Sequence, residues 1–267
     1  MRLQQRTVRR NLVACMLVAA ALMGIAVQPP SAASAPTVTN PPPQPKDWSA
    51  LASLPDWSGV WTPNMTDQAR RIKTDPVPWN KAAAAQIAKL EAAEQAGDPK
   101  GLFINCLPES MPSWMLITHN ALEFLFTPGR VTILGESDGN RLRRIYTDGR
   151  GHPADPDPTF HGHSIGHWEG DTLVVDVTHL SPDTWLGQQG YFHSKALHVT
   201  ERIIRKGDTL RYQATVEDPE VLTRPWVMDP LTELLSDNNL TEVPPCVDYD
   251  REHIVNDEHH VGDDHPH

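Results

Sequence analysis

The sequence is short of basic side chains. It has 23 Lys and Arg against 34 Asp and Glu, which gives the chain a formal net charge of −11. Proteins hold nucleic acids and anionic membrane surfaces chiefly by neutralising phosphate groups with Lys and Arg. The composition therefore argues against nucleic acids and anionic membranes as partners.

Long apolar runs are scarce as well, and the clearest one, residues 12–27, lies near the amino terminus. Four arginines and no acidic residue precede it, and the small residues Ser-Ala-Ala-Ser-Ala follow at 31–35. This order is typical of a secretory signal peptide, and the run is shorter than the roughly 20 residues that cross a bilayer. We predict that residues 1–35 are a signal peptide, that no stable membrane anchor remains after cleavage, and that the protein is periplasmic or secreted. The pair Arg9-Arg10 leaves twin-arginine export open as an alternative route.

Cysteine is also rare, with three in the chain, and Cys15 lies in the predicted signal peptide. Cys106 and Cys246 remain, and a cysteine pair in an exported domain is more often bridged than free. We predict a disulfide between them. The alternative, a reactive thiol, lacks the neighbouring basic cluster that would lower its pKa.

Composition shifts divide the rest of the chain. Residues 36–50 are rich in proline and are predicted to be a linker, residues 51–247 to be a single β domain, and residues 248–267 to be a disordered acidic, histidine-rich tail. One helix stands out near residues 81–95, where Asn80 can cap a run of helix formers that Gly97 ends. Its thin apolar face predicts a surface helix.

From Glu123 onward, apolar and polar residues alternate with a period of two between short Gly, Asp and Pro turns. Strands are predicted at 57–61, 122–126, 130–136, 142–148, 163–169, 172–177, 196–204 and 209–217. Successive hairpins without alternating helices favour a mostly β fold, namely an antiparallel β-barrel or, alternatively, a sandwich.

Several linked motifs resemble a family of exported bacterial proteins of uncharacterised function. They read CLP at 106–108, TPGRV at 127–131, RIYTDGRGHP at 144–153 and, most distinctively, GHSIGHWEGDTLVVD at 162–176. Gly59-Val60-Trp61 also resembles the glycine-x-tryptophan start of lipocalin-type barrels. A lipocalin-like fold would imply a cavity for a small molecule inside the barrel.

Candidate chemistry clusters between Asp148 and His167. Imidazole titrates near neutral pH, a carboxylate can orient it, and an arginine can hold a substrate carboxylate or an oxyanion. The candidate catalytic residues are His152, His163 and Glu201, and the candidate substrate-binding residues are Asp148, Arg150, Trp168 and His193. Alternation places His161, His163 and His167 on one side of an extended segment. The competing interpretation is that such histidines are solvated strand ends.

Glu201 is predicted to share a strand face with the apolar Leu197, Val199 and Ile203. Either it is buried and paired with an arginine or histidine of a neighbouring strand, or a bulge turns it out. Trp57, Trp61, Trp168 and Trp226 are predicted to be core residues first and ligand contacts second.

Metal and nucleophilic chemistry are rival interpretations. His152 with His161 and His163, or the histidines of the tail, could bind zinc or copper, but the spacing fits no closed site, so neither a metal nor another cofactor is predicted. Residues 162–166 have the outline Gly-x-Ser-x-Gly, but the strand pattern continues past them, whereas a nucleophile elbow leads into a helix.

The sequence thus predicts a soluble exported barrel that binds a small aromatic, terpenoid or glycosidic molecule. In the enzyme hypothesis it transforms that molecule by acid/base chemistry as a lyase, isomerase or hydrolase, and His152, His163 and Glu201 converge on one pocket with Arg150 nearby. The alternatives are a non-catalytic carrier, in which these groups pair on the rim of an apolar cavity, and a metal-binding or envelope-interaction protein with a filled barrel.

Overall fold

The alternating segments of the sequence form the walls of a β-barrel. The computed structural model describes residues 42–67, 76–98, 109–116, 121–186 and 191–243. The predicted signal peptide, Cys106 and Cys246 and the tail lie outside these residues. The strands are β1 (Val60–Pro63), β2 (Leu122–Thr127), β3 (Arg130–Gly135), β4 (Leu142–Tyr146), β5 (His163–Glu169), β6 (Thr172–Thr178), β7 (His198–Lys206), β8 (Thr209–Glu217), β9 (Trp226–Val227) and β10 (Leu231–Ser236).

Nine of these strands close into a ring. Strands β1 to β8 pair in chain order, and β10 then pairs with both β8 and β1. The short β9 pairs with Thr215 and Val216, farther along the edge of β8 that β10 also uses. The predicted barrel is therefore confirmed. Closure of the ring leaves none of its nine strands as an open sheet edge.

The prediction that every neighbouring pair is antiparallel is wrong at one place. Strands β4 and β5 run parallel, and only Ile145 pairs with Ser164 and Tyr146 with Ile165. Residues 147–162 connect the two strands, and a connection of a dozen or more residues is what a parallel pair needs. Beside the rest of β4, the barrel wall lacks a continuous ladder to β5.

The hairpins follow the predicted turns closely. Gly170 and Gly207 adopt left-handed conformations, with φ of 61° and 62°, in the turns that join β5 to β6 and β7 to β8. Tight hairpin turns demand that conformation, which glycine adopts without cost. The predicted strands at 163–169 and 209–217 match the structure, whereas the first strand begins at Val60 and not at residue 57.

Apolar side chains fill the inward face of the wall. Trp57, Trp61 and Trp226 are buried, as predicted. Trp57 packs edge-on against Phe124 and Trp168, with ring centroids 5.3 Å apart in both pairs. Such edge-to-face packing stabilises a core beyond the burial of area alone.

The described part of the chain outside the wall includes the α-helices α1 (Pro45–Ala50), α2 (Lys81–Gln95) and α3 (Ser137–Asn140). The helix α2 confirms the predicted surface helix, and the Asn80 side chain accepts a hydrogen bond from the Ala83 amide at 2.9 Å. The helix α1 occupies part of the predicted linker. There Pro45 takes the first helical position, and the Asp47 carboxylate accepts a bond from the Gln44 amide at 2.8 Å. Within the described residues, none of the helices combines the length and the apolar character needed to cross a membrane.

Candidate functional site

Polar side chains gather on the outer face of the barrel, at one end of strands β5 to β8. The antiparallel register pairs His163 with Thr178 and His198 with Glu217, and Asp176 lies two residue pairs farther in, on the same face as Thr178. Their chain neighbours face the core, so alternation turns these side chains outward. We call His152, His163, Asp176, His198 and Glu217 the outer histidine chain.

A glycine lets the chain enter this region. Gly162 has φ of 64°, and a Cβ added there would lie 2.5 Å from the Thr178 carbonyl oxygen. Only glycine permits such a close approach in this conformation. Strand β5 therefore begins directly beside the end of β6, with His163 opposite Thr178.

Hydrogen bonds link the outer histidine chain from end to end. His152 Nδ1 lies 2.8 Å from His163 Nδ1, and His152 Nε2 lies 2.7 Å from Asp176 Oδ1. On the other side, Asp176 Oδ2 lies 2.7 Å from His198 Nε2, and His198 Nδ1 lies 3.2 Å from Glu217 Oε2. The carboxylate of Asp176 thus joins two imidazoles.

The partners assign the protons along this chain. A carboxylate only accepts, so His152 Nε2 donates to Asp176, which leaves Nδ1 of a neutral His152 as an acceptor. The Thr178 hydroxyl also lies 3.0 Å from this nitrogen, but two ring lone pairs would repel each other at 2.8 Å, so the proton between the two Nδ1 atoms belongs to His163. His163 Nε2 consequently carries a lone pair, and it has no hydrogen-bond partner among the described residues.

Charges around the chain reinforce this assignment. Burial is the largest cause of a lowered pKa at His163, and the nearby His152 and the Arg150 guanidinium act in the same direction, which favours the neutral ring. Partial burial works against ionisation of Asp176 and His198. The hydrogen bonds between them outweigh it, so that the pKa of Asp176 is lowered and the pKa of His198 is raised. With a carboxylate at each ring nitrogen, His198 has a raised pKa, which favours the imidazolium form.

Aromatic and basic groups surround His163. The Tyr146 ring stacks on it, with centroids 5.4 Å apart and an interplanar angle of 20°. The Arg150 guanidinium lies over the Tyr146 ring, 4.1 Å from its centroid. Arg150 Nε also donates a hydrogen bond to Asp148 Oδ1 at 2.9 Å. The predicted residues Asp148 and Arg150 therefore do reach this site, where they are paired with each other.

His163 and Tyr146 both line an open cleft of about 540 Å³. It lies where β4 runs without a partner from β5, and the His161 ring spans the gap, with Nδ1 donating to the Leu142 carbonyl at 3.3 Å. Burial and two nearby arginines lower the pKa of His161 to about 3, so this ring is uncharged. The residues that line the cleft are Arg141, Leu142, Arg143, Arg144, Tyr146, Thr159, Phe160, His161, Gly162, His163 and Ser164.

Glu201 belongs to a different network, on the inner face of the wall. Its carboxylate pairs with the Arg143 guanidinium, including a bond of 3.1 Å from Nη1 to Oε1, and accepts a bond of 2.6 Å from the Tyr212 hydroxyl. Arg143 Nη2 also donates to Ser164 Oγ at 3.0 Å. We call Arg143, Ser164, Glu201 and Tyr212 the inner arginine network.

This position corrects the predicted convergence of the three catalytic candidates. His152 and His163 come together outside the wall, whereas Glu201 is fully buried inside it. Of the two alternatives for Glu201, the structure shows the buried and paired one, and no bulge turns it out. Its arginine partner, however, lies on β4 and not on a strand next to β7. Ser164 lies within a strand and is bound by Arg143, which is not the arrangement of a nucleophile elbow.

The other predicted site residues lie apart from His163. Trp168 packs on Trp57 at the edge of the core. His193 is buried in a loop, with Nε2 2.9 Å from Thr184 Oγ1 and Nδ1 2.8 Å from the Ser194 carbonyl oxygen. The exposed His167 pairs with Glu169 instead of joining His161 and His163.

Two further observations concern ligands and relatives. No group of three or more His, Cys, Asp and Glu side chains in the described ranges is placed to hold a metal ion, and His152, His161 and His163 do not form one. The chain matches no model of a known protein family and no curated protein. A functional assignment therefore depends on the geometry of the site.

Sequence reasoning missed several residues of this site, above all Asp176 and His198. Asp176 interrupts the run Leu173 to Val177, and that interruption indicates an outward-facing acid in an otherwise apolar strand. The two-residue turn at Gly170 would also have placed it near the start of β5. His198 carried no comparable signal, because residues 179–197 separate it from β6 and fix no register.

Proposed function

We propose that this protein is an exported acid/base enzyme that binds a small organic molecule in the cleft beside His163. The decisive observation is a hydrogen-bonded relay from Asp176 through His152 to His163, a residue that lines this cleft and whose Nε2 has no hydrogen-bond partner among the described residues. The basic, acid-free first residues support export, and the acidic remainder of the chain supports a small molecule as partner rather than a polyanion.

The relay gives His163 the properties of a general base. When Nε2 takes a proton from the substrate, the proton on His163 Nδ1 transfers to His152 Nδ1, the two nitrogens being 2.8 Å apart. The resulting imidazolium on His152 lies beside the Asp176 carboxylate, which stabilises its charge. Return of both protons completes the cycle, so the relay can also serve as the general acid.

Each neighbouring group has a part in this reaction. The low pKa of His163 leaves it neutral and ready to accept a proton near neutral pH. The imidazolium of His198 holds the second oxygen of Asp176 and thereby fixes the carboxylate against His152. Tyr146 restricts the His163 ring by stacking on it. A lyase, an isomerase or a hydrolase that begins with removal of a substrate proton fits this set.

A non-catalytic carrier is the second candidate. It is favoured by the pairing of Asp148 with Arg150, since groups that saturate each other provide orientation rather than reactivity. A carrier would bind the same molecules without turnover and would not depend on the relay.

Turnover of a library of aromatic, terpenoid and glycosidic compounds separates the two. We expect the purified wild-type protein to convert at least one of them, and His163→Ala to reduce that rate by about 10²-fold or more. His167→Ala is the matched control, because it removes an exposed histidine from the same strand. Equal rates in wild type and His163→Ala would exclude the relay, and binding without turnover in the wild type would favour the carrier.

A further inference from the structure

The cleft beside His163 is basic, in a protein with a strong excess of acidic residues. Three arginines line it, and no Asp or Glu is among the described residues that do so, although the whole chain carries −11. Surface charge of one sign in a concave site concentrates ligands of the opposite sign. We infer that the cleft takes a small aromatic carboxylate. This inference rests on the proposed function, because it names the substrate class of the same site.

Arg144 is the arginine that is available to an anion. Arg143 is already neutralised by Glu201 inside the wall, and the Arg141 guanidinium lies over the Phe160 ring at 5.9 Å from its centroid. Arg144 is exposed and makes no hydrogen bond or ion pair within the described part of the chain. A guanidinium presents paired N–H donors that match the two oxygens of a carboxylate.

Strand geometry places this guanidinium near the proposed base. Arg144 and Tyr146 are two residues apart on β4 and therefore project from the same outer face, about 7 Å apart along the strand. The Tyr146 ring stacks on His163. A carboxylate at Arg144 would hold a molecule of one ring in length with its far end beside His163.

Apolar groups account for the aromatic part of the ligand. Phe160 and Leu142 line the cleft and are 47% and 51% exposed, so both present apolar surface to a ligand there. His161 adds a neutral ring, because its pKa of about 3 leaves it uncharged. A cleft of about 540 Å³ suits a molecule with one or two rings.

The test compares two probes of the same shape, 4-hydroxybenzoate and the neutral 4-hydroxybenzamide, by titration calorimetry at low salt. We expect the wild type to prefer the carboxylate and to lose that preference as salt is added. Arg144→Gln should weaken binding of 4-hydroxybenzoate about fivefold, the effect of losing one exposed ion pair, and leave 4-hydroxybenzamide unchanged. Phe160→Ala should weaken both probes.

Controls separate this inference from the proposed reaction. Arg211→Gln removes another exposed strand arginine, on β8 and away from the cleft, and should change neither affinity. His163→Ala should keep the preference for the carboxylate even if turnover is lost. If the carboxylate preference is observed but turnover is the same in wild type and His163→Ala, the proposed reaction is rejected and the inference about the ligand stands. Equal affinities of the wild type for the two probes, or an equal loss in Arg144→Gln and Arg211→Gln, would overturn the inference and leave the acid/base proposal intact.

Discussion

The barrel wall carries one polar network on each face, and the two networks are built differently. In the inner arginine network, the guanidinium, the carboxylate and both hydroxyls are buried and bonded to one another. In the outer histidine chain, the side chains are partly exposed, and the chain ends on a ring nitrogen with no partner in the described structure.

This difference separates a structural role from a chemical one. A buried ion pair whose donors and acceptors are satisfied can bind nothing further without losing bonds that it already has. A relay that ends on an accessible lone pair can exchange a proton with a ligand at little cost. Glu201 is the more buried carboxylate, yet Asp176 is the one that can support chemistry.

The largest expected effect is on the inner network. Glu201→Ala leaves the Arg143 charge buried without its partner, and we expect a loss of about 3–5 kcal/mol in the free energy of unfolding. Glu217→Ala, at the exposed end of the outer chain, should cost less than about 1 kcal/mol. Urea unfolding measures both. Replacing Arg143 and Glu201 together by methionine should cost less than Glu201→Ala alone, and equal losses in Glu201→Ala and Glu217→Ala would contradict the contrast between the faces.

A third carboxyl group, on the inner face of the barrel wall, can be compared with Glu201 and Asp176. Glu233 on β10 is buried, its Oε2 has no hydrogen bond in the described structure, and burial raises its pKa to about 8. A group whose pKa is higher when folded stabilises the fold at low pH, and this contribution is lost as pH rises through about 8.

We therefore expect Glu233→Gln to be more stable than the wild type at pH 8, by about 2–4 kcal/mol, and nearly equal to it at pH 4. Unfolding at the two pH values gives the difference. Glu201→Gln provides the matched control, because it makes the same substitution at a buried carboxylate that is paired with Arg143. A stability gain of Glu233→Gln that does not grow with pH would show that the Glu233 side chain reaches water.

The next effect concerns the rate of the proposed reaction. Asp176→Asn removes the charge that stabilises the imidazolium of His152, and we expect it to lower turnover by about 10²-fold with little change in binding. Glu169→Gln changes another outer carboxylate of the same hairpin and should leave the rate unchanged. A normal rate in Asp176→Asn would mean that His163 acts without the relay.

The alternation of buried and exposed side chains within each strand could be predicted from the sequence, whereas contacts between strands distant in the chain could not. Alternation around Glu201 left two alternatives, a buried carboxylate paired with an arginine or histidine and a carboxylate turned out by a bulge, because side chains two residues apart share a face. It did not identify Arg143, since β4 and β7 are separated by two strands and by connections without fixed register. The parallel pairing of β4 and β5, which opens the cleft, depends on residues 147–162, whose path no turn signal specifies.

Hairpin turns explain which part of the candidate site was predictable. His152 and His163 were identified from their chemistry, but the role of His152 depends on Asp176, which the β5–β6 turn brings near. The same alternation that predicts Asp176 to face outward separates it from Glu201. Grouping Glu201 with the two histidines was therefore wrong because residues of opposite faces were assigned to one pocket.

The smallest expected effect tests the charged state of His198. Its raised pKa means that its contribution to stability is complete below the ordinary value of 6.5 and is lost as pH rises through the raised value. Between pH 6 and pH 9 the free energy of unfolding should therefore fall more in the wild type than in His198→Gln. We expect a difference of less than about 1 kcal/mol, because the His198 side chain is about one-third exposed and water screens its charge. Glu233 titrates in the same range but is present in both proteins, and Asp176 stays ionised throughout it, so the difference between the two proteins isolates His198. An identical pH dependence in both would show that His198 is neutral, and Asp176 would then bind His152 without a neighbouring cation to fix it.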